Sequence, residues 1–119
     1  MSTVKIGIRR GDVVVVNLDP TKGSEQKGTR PCIVVQNDIG NQKSPTTIVV
    51  PLTDAKHKPH PGPFQAFISK ETSNIKKDSI AQCEQIRVTS QERILENWGS
   101  LPSDVMDAVD TAIRISLDL

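Results

Sequence analysis

The chain has 119 residues, 35% of them hydrophobic, with 15 Lys+Arg against 14 Asp+Glu and a formal charge of +1. That length favours one domain, residues 1–119, around one core. No apolar run approaches the ~18 residues that a membrane span requires, and "MSTVKIGIRRGD" lacks a secretory h-region, so a cytoplasmic protein with no membrane partner is expected.

In chain order, "DVVVVNL" (12–18) is a β-branched run without helical period, bounded by Gly11 and Pro20, and reads as a buried strand. "PCIVVQN" (31–37) and "TTIVVPL" (46–52) repeat the pattern between turn-forming residues. Cys32 and Cys83 lie in apolar runs and form no CxxC, so they are expected reduced and buried. "FQAFIS" (64–69) and "SIAQCEQIRV" (79–88) alternate and read as half-buried strands. Five short strands with no helix between them suggest a strongly bent antiparallel sheet or a partly closed barrel. "TSQE" (89–92) has the form of a capping box and predicts a short helix through about Glu96. In "LPSDVMDAVDTAIRISLDL", Pro102 and Asp104 suit a helix start. Val105, Met106, Val109, Ala112, Ile113 and Leu117 then share one face, packed on the sheet or on a second copy of the chain.

Two connections, residues 19–30 and residues 53–63 ("TDAKHKPHPGP"), are long for so small a domain, and function tends to sit in such loops. His57 and His60 stand three apart with only Asp54 nearby, which reads as a solvated loop and not a metal site. "KGSEQKG" lacks the GK[ST] ending of a phosphate loop and leads into a strand where such a loop needs a helix. Residues 1–91 carry 13 basic against 8 acidic groups, and residues 92–119 carry 2 against 6. A basic body can face a polyanion, although ordinary surface scatter fits the same numbers.

Metal-free RNA cleavage uses the substrate's own 2′-OH and needs a proton acceptor, a proton donor and a cation on the phosphate. Arginine suits the last task because its fork pairs two phosphate oxygens at any working pH. Arg30 opens the second strand and Thr53 ends the third, so neighbouring strands would aim both into one groove. On spacing alone, Arg30 paired with Glu25 and Thr53 capping a turn fit as well.

"RRGDVVVVNLDPTKGSEQKGTRPCIVVQNDIGN", "SPTTIVVPLT", "DSIAQCEQIR" and "VDTAIRISLDL" closely resemble the MazF/PemK (Kid) family of toxins over roughly residues 9–119. The resemblance implies a mainly β fold with a C-terminal helix: a small SH3-like, CcdB/PemK-type antiparallel β-barrel with short helices, assembled as a homodimer. It implies a sequence-specific, metal-independent endoribonuclease that cuts single-stranded RNA, chiefly mRNA, with no cofactor, and a cognate antitoxin whose flexible acidic segment covers the groove. The family's catalytic arginine falls on Arg30 and its catalytic threonine on Thr53. Its mobile RNA-lining loop falls on Gly23, Ser24, Glu25 and Gln26, and "EQIR", a strand edge that contacts RNA, falls on Glu84 through Arg87. The RNA-binding set is accordingly Ser24, Glu25, Gln26, Lys27, Gln85 and Arg87. Many relatives carry two glycines after "SEQ"; Lys27 stands in the first of those places here, adding charge and stiffness.

Two other readings use the same scaffold. A CcdB-type gyrase inhibitor acts through an aromatic end on the last helix, where this chain has "ISLDL". A non-catalytic RNA-binding barrel would rely on stacked aromatics, and this chain has three, two of them expected in the core.

Overall fold

The computed structural model describes residues 6–58 and 60–119; Met1–Lys5 and Pro59 of the His/Pro-rich loop lie outside the described residues. Seven strands form the frame: β1 (Asp12–Asn17), β2 (Thr29–Val34), β3 (Thr46–Asp54), β4 (Gln65–Ile68), β5 (Ser79–Gln82), β6 (Arg87–Ser90) and β7 (Ile94–Ser100). They run in the order β4-β5-β3-β2-β1-β7, and β6 adds to β3 off this path. Every pairing is antiparallel. The result is the small, bent, mainly β architecture that the strand pattern suggests, open between its outer strands β4 and β7.

The runs of valine follow from burial on both faces of the sheet. Val13, Ile33 and Val50 point into one core, while Val14, Val16, Cys32, Val34 and Val49 point into another. A strand buried on both sides has no reason to alternate, so its sequence is continuously apolar. Both cysteines are free and buried, as expected.

Strand β3 is the pivot. Its first half pairs with β6 (Thr46↔Ser90 to Val49↔Arg87) and its second half with β5 (Leu52↔Ala81 to Asp54↔Ser79), while β2 runs along Val49–Pro51. Pro51 sits at the hand-over from β6 to β5, the sort of break in a ladder where a residue without an N–H is tolerated.

Three local expectations are corrected. The segment 79–88 is not one strand: a 3₁₀ turn at Cys83–Gln85 divides it into β5 and β6. The capping motif starts only a 3₁₀ turn, Gln91–Arg93, with Ser90 Oγ and not Thr89 accepting from the Glu92 amide at 3.3 Å. The chain then enters β7, because the free edge of β1 takes it up (Val16↔Ile94 to Asp12↔Ser100). Finally, a six-residue helix α1 (Asp38–Lys43) lies between β2 and β3, capped by Asn37 Oδ1 accepting from the Gly40 amide at 2.8 Å.

Helix α2 (Ser103–Leu117) matches its pattern, with Pro102 at the cap and Asp104 in the first turn. Met106, Val109 and Ala112 are buried against the sheet, with Val105 and Ile113 beside them. Leu117, on the same predicted face, is exposed together with Ile115 and Leu119. Arg10 ties the helix to the body through its 2.9 Å ion pair with Asp110. Its backbone amide also donates to Asp38 at 2.7 Å, and this hydrogen bond holds the Asp38 carboxyl below its ordinary pKa.

A buried amide network joins α1, β3 and the Gln91 turn. Asn41 Oδ1 accepts from Thr47 Oγ1 at 2.7 Å and from Gln36 Nε2 at 3.1 Å. Gln91 Nε2 lies 3.0 Å from the carbonyls of Asn41, Ser44 and Thr46. Removing the donor strands buried acceptors, which costs about 1–3 kcal/mol. Gln91→Leu should therefore lower the unfolding free energy by about 2 kcal/mol in urea titrations with an unchanged m-value.

Candidate active site and RNA interface

The pairing of β2 with β3 stops at Cys32↔Pro51. Two steps further in the same register Arg30 would stand opposite Thr53, but there the strands part. Arg30 stays with β1 (Val16↔Arg30) and Thr53 with β5 (Thr53↔Ile80). The gap is a cleft of about 280 Å³ lined by both residues and by Asp54, Lys76, Lys77 and Trp98. Arg30 Nε donates to the Lys27 carbonyl at 3.0 Å, which leaves both terminal guanidinium nitrogens without a protein partner among the described residues. A cation fixed at its base and free at its fork is suited to bind an anion.

Glu25 does not pair with Arg30. Its carboxylate accepts from the Lys22 amide at 2.6 Å and so closes its own loop. Thr53 caps no turn; the neighbouring Asp54 does, accepting from the Lys56 amide at 3.0 Å. That hydrogen bond lowers the Asp54 pKa, with smaller help from Lys56, Lys77 and His57. Asp54 is therefore ionised at neutral pH, and Lys77 and Lys56 lie 3.9 and 3.8 Å from it. Such exposed pairs contribute little to stability, so the lysines remain available to a polyanion.

The loop between β1 and β2 is pinned at both ends. At its base the Leu18 amide donates to the Gly28 carbonyl at 2.9 Å, and the Gly28 amide to the Asp19 carboxylate at 3.0 Å. Gly28 holds φ +78°, which an L side chain would resist. At its tip Gln26 Nε2 donates to Gln82 Oε1, the Gln26 amide to Gln85 Oε1 at 3.3 Å, and Gln85 Nε2 to the Ser24 carbonyl at 3.2 Å. The expected RNA-binding residues thus fall into two groups. Ser24, Glu25, Gln26, Lys27 and Gln85 come together as the loop and its docking platform, with Ser24, Glu25 and Lys27 exposed. Arg87 lies beneath, its Nη2 donating to the Leu18 carbonyl at 3.4 Å while Nη1 is buried without a partner. The "EQIR" segment is a 3₁₀ turn leading into β6, not the continuous strand edge that the resemblance implies.

His57 and His60 are exposed and do not line the cleft. No group of three His, Cys, Asp or Glu residues is placed to hold a metal ion among the described residues. Trp98 is a cleft residue that the sequence reading missed. Two aromatics are expected in the core, but Phe64 is 37% and Phe67 53% exposed, and the half-buried Trp98 packs against the core only in part.

Comparison with known proteins identifies the family. Residues 9–117 match the family of PemK-like, MazF-like toxins of type II toxin–antitoxin systems, and the chain belongs to that family. It is 44% identical over 112 residues to the endoribonuclease MazF of Staphylococcus epidermidis, a match covering 94% of this chain and 92% of that protein. The crystal structure of MazF from Deinococcus radiodurans superposes with a TM-score of 0.80 at 21% identity, covering 96% of this chain and 99% of that one. A mycobacterial endoribonuclease, solved with its cognate antitoxin, superposes with a TM-score of 0.78 at 18% identity, covering 94% and 96%. These two structures support the fold, and the family match with the close relative makes the chain an endoribonuclease toxin. The gyrase-inhibitor reading is not favoured. No helix is long and apolar enough to cross a membrane among the described residues.

Beneath Arg30, Cys32 is buried, and desolvation pushes its thiol pKa from 9.0 to about 12 against the opposing fields of Arg87 and Arg30. The unfolded chain releases this proton first, so stability attributable to the neutral thiol is intact below pH 9 and declines from there towards pH 12. Native protein should resist iodoacetamide at Cys32 at pH 8 and become reactive in denaturant. Cys32→Ala should flatten the loss of stability between pH 9 and 11.

Proposed function

We propose that this toxin cuts single-stranded RNA, chiefly mRNA, without a metal ion, by attack of a ribose 2′-oxygen on the adjacent phosphorus. The P–O5′ bond breaks as the P–O2′ bond forms, leaving a 2′,3′-cyclic phosphate and a 5′-hydroxyl. The proton of the 2′-OH must leave and one must reach the departing O5′. Arg30 binds the phosphate through its free fork and offsets the charge that builds there. Thr53 orients the 2′-OH or relays its proton, since a threonine hydroxyl is far too weak an acid to supply a base at neutral pH. The observation that carries this reading is the shared cleft of Arg30 and Thr53 at the point where β2 leaves β3.

The loop residues Ser24–Lys27, docked on Gln85 and backed from beneath by Arg87, hold the RNA strand beside the cleft, and the bond from Arg30 to the Lys27 carbonyl couples that loop to the cation. The cognate antitoxin competes for the same basic surface with an acidic segment that orders as it binds. Two chains form a homodimer, supported by the exposed apolar side chains Ile115, Leu117 and Leu119 at the end of α2.

Purified protein should cut single-stranded RNA at a short recognition sequence in excess EDTA, and an absolute requirement for added divalent metal would refute the mechanism. Arg30→Ala should keep the wild-type circular dichroism spectrum but slow cleavage by about two to three orders of magnitude. An unchanged rate would remove Arg30 from the site. Sedimentation at micromolar concentration should show a dimer, and a monomer there would contradict the assembly.

A further inference from the structure

Strand β7 does not run evenly along β1. Val13 pairs with Gly99 and Val14 with Asn97, so Trp98 is an extra residue squeezed out of the ladder. Such bulges re-aim a side chain and recur beside active sites. Gly99, at φ +95°, supplies the left-handed backbone that the irregularity requires. Asn74 fixes it from the other side, its Nδ2 donating to the carbonyls of Trp98 at 3.1 Å and Gly99 at 2.6 Å. The bulge places Trp98 along the cleft that Arg30 and Thr53 also line. Part of the ring packs on the core, and Lys76 Nζ lies over it, 4.7 Å from its centroid.

From this geometry we infer that Trp98 is a stacking platform for a nucleobase next to the scissile phosphate, with Lys76 resting on the ring in the free protein and turning to the RNA backbone when a base takes its place. The inference rests on the RNA-cleavage reading and gives the cleft a second subsite. A flat half-buried ring with a cation on its face, in a cleft holding three basic residues against one carboxylate, matches what a single strand offers: a π-face and a phosphate. Stacking is sequence-tolerant, so this subsite supplies affinity and register while the loops read the bases.

Trp98 is the single tryptophan of the chain, so its fluorescence reports on the subsite directly. The probe is a fluorescein-labelled RNA oligonucleotide that spans a mapped cut site and is 2′-O-methylated at the attacking ribose. Titration into wild-type protein should quench the indole in step with the rise in fluorescein anisotropy. The quench should vanish when one of the two bases flanking the scissile linkage is replaced by an abasic site, and persist when the other is. Trp98→Leu, which keeps an apolar side chain against the core, should raise KM about tenfold to a hundredfold with kcat within about threefold, and Trp98→Phe should restore most of the loss. Saturating anisotropy without quenching would overturn the inference. So would equal quenching by base-free inorganic polyphosphate, which would mean that only Lys76 had moved, or a wild-type KM in Trp98→Leu. Should that variant fail to fold, the abasic titration on wild-type protein decides alone. Cleavage that proves metal-dependent, or normal in Arg30→Ala, would refute the mechanism above but leave the stacking result standing.

Discussion

Strand β3 must serve three neighbours, and the site exists because it cannot serve them all along its whole length. β2 holds it only through Val49–Pro51; beyond that, β3 bends away to pair with β5 while β2 stays with β1. The separation leaves two residues that would otherwise face each other across a ladder facing each other across a cleft. One is an arginine whose Nε is anchored, the other a threonine whose hydroxyl has no protein partner among the described residues. Strands behind both residues, β1 paired to β2 and β5 paired to β3, hold them in place.

Everything else at the site is arranged around that parting. The loop from β1 is closed at its base by paired backbone and carboxylate bonds and docked at its tip on Gln82 and Gln85, so the polar residues Ser24–Lys27 are presented and not left loose. Lys76, Lys77 and Trp98 enter the cleft from the far side, carried by the segment before β5 and by the bulge of β7. The acidic C-terminal quarter lies on β7 and α2: Glu96 accepts from the Trp98 indole N–H at 3.4 Å, and Asp110 of α2 is taken up by Arg10. A nearly neutral chain can thereby keep a cationic cleft.

Where the structure departs from the local pattern of the sequence, the cause is non-local in each case. The capping-box form of "TSQE", with Thr89 and Glu92, predicts helix through about Glu96, yet from Ile94 the chain is strand β7. Its alternation is erased by two shifts of register against β1, and only the unpaired edge of β1 makes it a strand. Helix α1 reads as a turn in "NDIGNQK"; it forms because Asn41 is pulled into a buried network with Thr47 and Gln36. Nothing in the neighbours of Trp98 announces the bulge that places it along the cleft.

What the sequence determined by itself was the set of doubly buried strands, the amphipathic C-terminal helix and the buried thiols, and its long, ordered motifs single out one arginine and one threonine as candidates. Each of these is written in local periodicity or in a contiguous string of residues. The tertiary structure alone decided that β2 and β3 separate after Cys32 and Pro51, that the loop docks on Gln82 and Gln85, and that Trp98 lies along the cleft with Lys76 above it. These depend on which edges compete for one strand and on single-residue slips in pairing. Both are settled by contacts between residues far apart in the chain, where no short pattern can record them.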